Sequence, residues 1–331
     1  MLRDTGPALS RRISLDTIRD AATHVYTAAV RTPLVRLDLP SDKGTPEIFL
    51  KLETLQPIGS FKIRGAQNAV RRLAREALAD GVWTVSAGNA AQGGALAARL
   101  AGAACSVMVM DTAPETKLRA IERLGATIVK ATYDECWRTV EQHRSDRMRG
   151  RFVHPFDDDD FIAGNGTIGL EIFEDLPDVD AVIAPLGGGG LLAGIACALD
   201  GLRPEPRVYA AEPETAAPLS VSLRSGTASR FEGWQPSFVD GAGGKSVIDT
   251  MWPLLKRSVD DSIVVTLDAA ARAMRVVADR VHVVSEGAAA CAVAAALSPR
   301  IAEAGHKRVV AVVSGGNIDL NRFAQLVGAC G

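Results

Sequence analysis

Apolar and polar positions along the chain follow two periods that take turns. Short β-rich apolar runs at 48–53, 83–86, 105–110, 126–130, 151–153, 180–185, 207–212, 263–266 and 307–313 predict strands. Between them the spacing turns helical. One helix is capped by Ser14 and runs to about Ala29, and another is predicted over 63–79 and closed by Gly81. Further helices are predicted over 90–101, from Pro114 to Gly125, over 133–147 and over 167–175. Another follows the glycine run to about Leu199; two start at Asp268 and Glu286, and the last closes the chain. The four aspartates 157–160 read as a solvated acidic turn, and 227–245 as a long irregular excursion. Strands alternating with helices predict an α/β architecture: parallel sheets with helices on both faces and ligands at the carboxyl ends of the strands.

Composition narrows the function classes. With 331 residues, 47% of them hydrophobic, the chain can build a large core and two subdomains. A net charge of −2 leaves no basic field for nucleic acid or anionic membrane, and Arg71, Arg72 and Arg75 read as one solvated helix face. Residues 1–12 lack the apolar core of a secretory signal, and no run of about 18 apolar residues predicts a membrane span. The five cysteines, Cys105, Cys136, Cys197, Cys291 and Cys330, are odd in number and form no CxxC pair, which predicts free thiols in a reducing cytoplasm. The five histidines, His24, His143, His154, His282 and His306, show no metal-ligand spacing and read as structural.

The chemistry-bearing stretches fall at the predicted strand ends. Ser60-Phe61-Lys62-Ile63-Arg64-Gly65 follows a strand and opens a helix, so Lys62 stands where a lysine can point into a cleft rather than lie on a solvated face. Helix N-termini also favour anions, such as a cofactor phosphate. Gly187-Gly188-Gly189-Gly190 lies between a strand and a helix, where glycines let the backbone bend tightly and present its N–H groups to a phosphate. Gly188-x-Gly190-x-x-Ala193, with Glu212 ending the next strand, also fits a loose dinucleotide fingerprint, so a nicotinamide or flavin oxidoreductase competes. That alternative leaves Lys62, Ser86-Ala87-Gly88-Asn89 and Ser314-Gly315-Gly316-Asn317 unexplained.

Taken in order, these motifs, with Asn89-Ala90-Ala91-Gln92-Gly93 and Ala163-Gly164-Asn165-Gly166-Thr167, resemble the pyridoxal-phosphate-dependent serine/threonine dehydratase family, which includes serine racemase. The resemblance runs from about Thr32 to Asp319. It implies the tryptophan-synthase-β fold type (fold type II): two parallel-sheet α/β domains with pyridoxal 5'-phosphate in the cleft between them. Residues 1–80 and 158–331 would form the large domain and 81–157 a small mobile one. Lys62 would be the Schiff-base lysine and the catalytic base, and Phe61 would pack beside the ring. Asn89 would meet the ring hydroxyl, Gly187, Gly188, Gly189, Gly190 and Leu191 the phosphate, and Ser314 the pyridine nitrogen. Ser86, Ala87, Gly88, Asn89 and Ala90 would hold the substrate. The implied reaction is β-elimination from a 3-hydroxy amino acid to a 2-oxo acid and ammonia, by a homodimer. A racemase, a β-replacement synthase of the same fold and a non-catalytic amino-acid-binding protein are the nearest alternatives.

Three departures from the family pattern carry information. Relatives usually have His where this chain has Ala90; either this makes room for a β-substituent larger than that of threonine, such as the aryl group of phenylserine or the charged group of hydroxyaspartate, or the change is neutral and threonine or serine remains the substrate. Ala87 replaces the serine that serves the racemases as their second acid, so racemisation should be slow beside elimination. Glu212 and Ala216 match a divalent-cation site of some relatives, but the third position is Pro218, which offers no side-chain ligand. Glu286 heads a helix, and the resemblance gives it at most a cofactor-side role.

Overall fold

A computed structural model describes residues 11–39, 45–200, 202 and 206–329, so Met1–Ser10 of the N-terminal reading and Cys330 lie outside the described residues. The chain opens with α1 (Leu15–Val25), where the Ser14 hydroxyl accepts the Thr17 N–H. Next come β1 (Leu34–Arg36), β2 (Glu47–Leu52), a 3-10 turn (Glu53–Leu55), α2 (Lys62–Arg71) and α3 (Arg75–Ala79). The middle of the chain supplies β3 (Val82–Val85), α4 (Asn89–Leu100), β4 (Cys105–Met110), α5 (Glu115–Glu122), β5 (Thr127–Ala131), α6 (Tyr133–Gln142) and β6 (Arg151–Phe152). The rest comprises α7 (Asp159–Asp175), β7 (Ala181–Pro185), α8 (Gly190–Asp200), β8 (Arg207–Pro213), α9 (Pro218–Ser225) and α10 (Trp252–Ser258). It ends with β9 (Asp261–Val265), α11 (Leu267–Val281), α12 (Gly287–Ala296), α13 (Pro299–Glu303), β10 (Arg308–Val313) and α14 (Leu320–Gly328).

The strands form two sheets, one of six in the order β1-β2-β10-β7-β8-β9 and one of four in the order β5-β4-β3-β6. Every pairing is parallel except that of β1 with β2. The last strand, β10, sits between β2 and β7, so the larger sheet draws on both ends of the chain, while the smaller uses only strands lying within 82–152. Helices cover both faces of the larger sheet: α8 and α10 join one apolar cluster and α11 and α12 another.

Several expectations are corrected. The helix expected over 63–79 is two, because Ala74 is extended between α2 and α3; Gly81, at φ +80°, makes the turn that follows. The helix expected from Thr167 starts at Asp159. The aspartates 157–160 are therefore no solvated turn: Asp158 caps α7 by accepting the Phe161 N–H, Asp159 and Asp160 stand in its first turn, and Asp157 is buried. Gly164 and Gly166, which precede the helix expected from Thr167, are helical. An added Cβ would lie 2.5 Å from the Arg64 carbonyl oxygen at Gly164 and 2.9 Å from that of Gly194 at Gly166, so these glycines let α7 lie close against α2 and α8. Helix α6 ends at Gln142 rather than Arg147, with His143 left-handed at φ +55°. Helices α9, α10 and α13 have no counterpart among the expected elements, whereas 227–245 is irregular as expected.

Beneath α2 lies a fully buried ion cluster of Lys51, Glu53, Arg64 and Glu171. The Arg64 guanidinium donates to both carboxylates, at 2.8 Å to each oxygen of Glu53 and 2.6 Å to Glu171 Oε1. Lys51 Nζ lies 2.7 Å from the other Glu171 oxygen. Charges taken this far from water persist only when paired and hydrogen-bonded, and here the pairing ties β2, α2 and α7 together.

Candidate active site

A cavity of about 550 Å³ opens between the carboxyl ends of the two sheets. Lys62, the first residue of α2, reaches into it and donates a hydrogen bond from Nζ to the Pro155 carbonyl. The Nζ lies 5.1 Å from the centre of the Phe61 ring and 5.3 Å from that of Phe161. Burial in these surroundings lowers the Lys62 pKa to about 8, against a smaller opposing pull from the Glu286 carboxylate.

The glycine run joins β7 to α8. Gly189 is left-handed at φ +94°, and the backbone is packed too closely for side chains: a Cβ on Gly188 would fall 2.2 Å from Phe156 Cγ, and one on Gly190 2.5 Å from the Phe156 carbonyl oxygen. Asn165 on α7 donates to the Gly190 carbonyl at 3.2 Å. Among the described residues no acceptor takes the N–H groups of Gly187, Gly188, Gly189, Gly190 and Leu191. Across the cavity, α4 starts at Asn89 with Gly88 as its cap, and the Ser86 hydroxyl accepts the Gly88 N–H. The N–H groups of Asn89 and Ala90 also lack a protein acceptor among the described residues, so a second helix N-terminus faces the cavity.

A hydrogen-bonded line runs along the cavity floor. Asn317 donates to Asn89 Oδ1 at 2.7 Å and to the Ile58 carbonyl at 2.8 Å, and Asn89 donates to Glu286 Oε1 at 2.8 Å. Burial, reinforced by nearby Asp240, pushes the Glu286 carboxyl up to about 7. Ser314 follows β10 on the same floor, and its carbonyl accepts the Phe61 N–H at 3.0 Å.

The sequence pattern of the family described as "Pyridoxal-phosphate dependent enzyme" matches residues 25–315. This chain belongs to that family. It is 39% identical over 317 residues to an L-threonine ammonia-lyase of Thermotoga maritima, covering 95% of this chain and 78% of that enzyme. It is 37% identical over 320 residues to the catabolic L-threonine dehydratase of Escherichia coli, covering 96% of each. The fold superposes on maize serine racemase with a TM-score of 0.87 at 30% identity, covering 96% of this chain and 98% of that one.

The residues present fit the cofactor that gives the family its name. The free N–H groups of the glycine run suit a phosphate, Lys62 has its amine in the same cavity, and Asn89 and Ser314 line it. Phe61, Ser86, Ala87, Gly88 and Ala90 also line this cavity, so the sequence-derived residues come together at one place. Glu212 and Ala216 do not. Glu212 is buried away from the cavity, its carboxylate accepting the Leu219 and Ser220 N–H groups at 2.8 Å each and the Ser262 hydroxyl at 2.5 Å. It caps α9, and with Pro218 beside it the place does not fit a cation. Another trio, His143, His154 and Asp157, brings ligand atoms together, but His154 is committed at both ring nitrogens. Its Nδ1 accepts the Phe156 and Asp157 N–H groups, and its Nε2 faces the Val140 carbonyl.

Sequence reasoning gave no role to Asn165, Asn317 or Phe156, and only a weak one to Glu286. Asn317 and Asn165 sat inside quoted motifs, which was the available signal; Phe156 had none, because its contact with Gly188 is long-range. Two bridges over the mouth were equally hidden. Lys117 on α5 pairs with Asp240, and the Lys245 ammonium lies 4.5 Å from the Tyr133 ring centre and 4.3 Å from that of Trp234.

Proposed function

We propose that this protein is a pyridoxal-phosphate-dependent ammonia-lyase that eliminates water from a 3-hydroxy amino acid and releases a 2-oxo acid and ammonia. The observation that carries the reading is that one cavity gathers three things: a lysine amine of lowered pKa, a glycine run with unclaimed N–H groups, and a second helix N-terminus suited to a carboxylate. Pyridoxal phosphate, when bound, draws electrons away from the substrate Cα and so acidifies its hydrogen. Lys62 Nζ takes that proton, a role for which a pKa near 8 is well matched. The start of α4 holds the α-carboxylate, with Ser86 keeping the Gly88 turn in place. Ala87 can donate no proton from the opposite side, so elimination outruns racemisation.

In this reading residues 81–157 act as a small domain that moves over the substrate, and the Lys117–Asp240 and Lys245–Tyr133 contacts are bridges between it and the rest of the chain. The reading extends to a cytoplasmic homodimer. No helix among the described residues is long and apolar enough to cross a membrane.

The test is Lys62→Ala. Purified protein should show a near-visible band that borohydride bleaches, and should form 2-oxo acid and ammonia from hydroxy amino acids. The variant should lose the band and at least about 1,000-fold in kcat. Undiminished turnover by the variant, or turnover that needs added nicotinamide, rejects the proposal.

A further inference from the structure

We infer that the cavity is shaped for a 3-hydroxy amino acid whose β-carbon carries an aromatic ring, and that Trp137 selects it. The inference rests on the ammonia-lyase reading and deepens it.

The glycine run and Ser314 lie on the larger-sheet side, and the α-carboxylate goes to the start of α4. The wall left for the β-substituent is that of the smaller sheet: Val85, Met108, Met110, Cys136, Trp137 and Val140. None of these carries a charge at neutral pH; burial pushes even the Cys136 thiol up to about 11. At the near edge stands Ala90, which extends no further than its Cβ. A hydroxymethyl or methyl-bearing β-carbon would leave this apolar wall facing water, whereas a ring would cover it.

A β-carboxylate is the rival, because two lysines stand at the mouth. Both are already occupied. Lys117 is paired with Asp240, and Lys245 is held over Tyr133 and Trp234. Of the two carboxyl groups that also line the cavity, Asp240 is balanced by Lys117, and Glu286 disfavours a second substrate carboxylate beside it. The rings divide the same way. Tyr133 and Trp234 are taken by Lys245, but no ring or cation stacks on Trp137 among the described residues. Its indole is half-buried and free to pack against a substrate ring in an offset or edge-on geometry. With phenylserine the reaction balances without an oxidant. The Cα–H and Cβ–O bonds break and water leaves; hydrolysis of the resulting enamine returns one water and gives phenylpyruvate and ammonia.

The experiment measures kcat/KM of the holoenzyme for threo-phenylserine, threonine and 3-hydroxyaspartate. It also measures inhibition by phenylalanine and 2-aminobutyrate, which cannot eliminate water. Phenylserine should exceed threonine at least about tenfold, and phenylalanine should bind about tenfold tighter than 2-aminobutyrate. Trp137→Ala should lower the phenylserine-to-threonine ratio about tenfold, and Trp137→Phe should restore most of it. Should Trp137→Ala fold poorly, Trp137→Leu, which keeps bulk without a ring, reads out the same ratio. A wild-type preference for threonine or 3-hydroxyaspartate overturns the inference, as does a ratio that Trp137→Ala leaves in place. If no hydroxy amino acid is turned over, the ammonia-lyase reading itself falls. The aryl site is then decided by binding: phenylalanine no tighter than 2-aminobutyrate overturns it.

Discussion

The lowered pKa of Lys62 makes a prediction that can be read without any substrate. An ordinary lysine titrates near 10.5, and burial brings this one to about 8. At pH 7.5 a lysine of pKa about 8 is neutral in roughly one molecule in four, and one of ordinary pKa in about one in a thousand. Only the neutral amine attacks an aldehyde. The rate at which cofactor-free protein recovers its near-visible absorbance on mixing with pyridoxal phosphate should therefore rise about tenfold per pH unit below 7 and flatten near 8. Glu286 gives the sign test. Its negative charge raises the Lys62 pKa, so Glu286→Gln should move the plateau to lower pH. The difference between the two proteins should be largest between about pH 7 and 8, because Glu286 itself carries a pKa of about 7 and is largely neutral below it, while well above 8 the amine is neutral in both. A midpoint near 10 in the wild type, or one that moves upward in Glu286→Gln, would refute the electrostatic account of this amine.

Further predictions concern the glycine run and the cation. Gly188→Ala places a Cβ 2.2 Å from Phe156 Cγ, so the dissociation constant for pyridoxal phosphate should rise at least about tenfold by absorbance titration. Gly328→Ala, where a Cβ meets nothing within 4 Å, should leave it unchanged. Because Glu212 is satisfied by α9 and Ser262, chelation should leave the Tm where it is, while Glu212→Gln, whose amide keeps one acceptor oxygen but sets an NH2 against the other N–H, should lower it by several degrees. A Tm that falls with EDTA and recovers with Mg²⁺ or Ca²⁺ would count against the capping role.

Those predictions also mark where the sequence was readable. Strands such as Cys105–Met110 were legible to the residue because β-rich runs end at turn residues. The site motifs were legible because each packs chemistry into a few consecutive positions. The start of α7 was not, because Gly164 and Gly166 signal loop in a local reading, and their reason lies in the backbones of α2 and α8, distant in sequence. Glu212 failed differently. Its position matched a cation ligand, but what a buried carboxylate binds depends on which N–H groups the next helix presents, and Pro218 begins that helix. The apolar wall was hidden because Trp137, Met108 and Val85 come from three elements and meet only when the smaller sheet forms.

The motif around Lys62 shows why so short a stretch can carry so much. Residues two apart on a helix point to nearly opposite sides, so Lys62 faces the cavity while Arg64 faces the buried carboxylates of Glu53 and Glu171. Ser60 bridges to Gly315 and Phe61 donates to Ser314, which fixes the approach to the helix against β10. Gly65 lets the Phe161 ring come where a Cβ would lie 2.4 Å from Phe161 Cδ1, and that same ring stands 5.3 Å from the Lys62 amine. The start of α2 is thus held from below by ion pairs, from one side by β10 and from another by α7. Removing one partner of a buried ion pair typically costs about 3–5 kcal/mol, so the amine stands on a support far stiffer than a lysine side chain can provide. Lys62 is rooted through α2 on the larger-sheet side, and its Nζ donates across the cavity to the Pro155 carbonyl, so the amine is held from both sides. That arrangement lets the wall around Trp137 determine which substrate is accepted while leaving the proton-transfer step to Lys62.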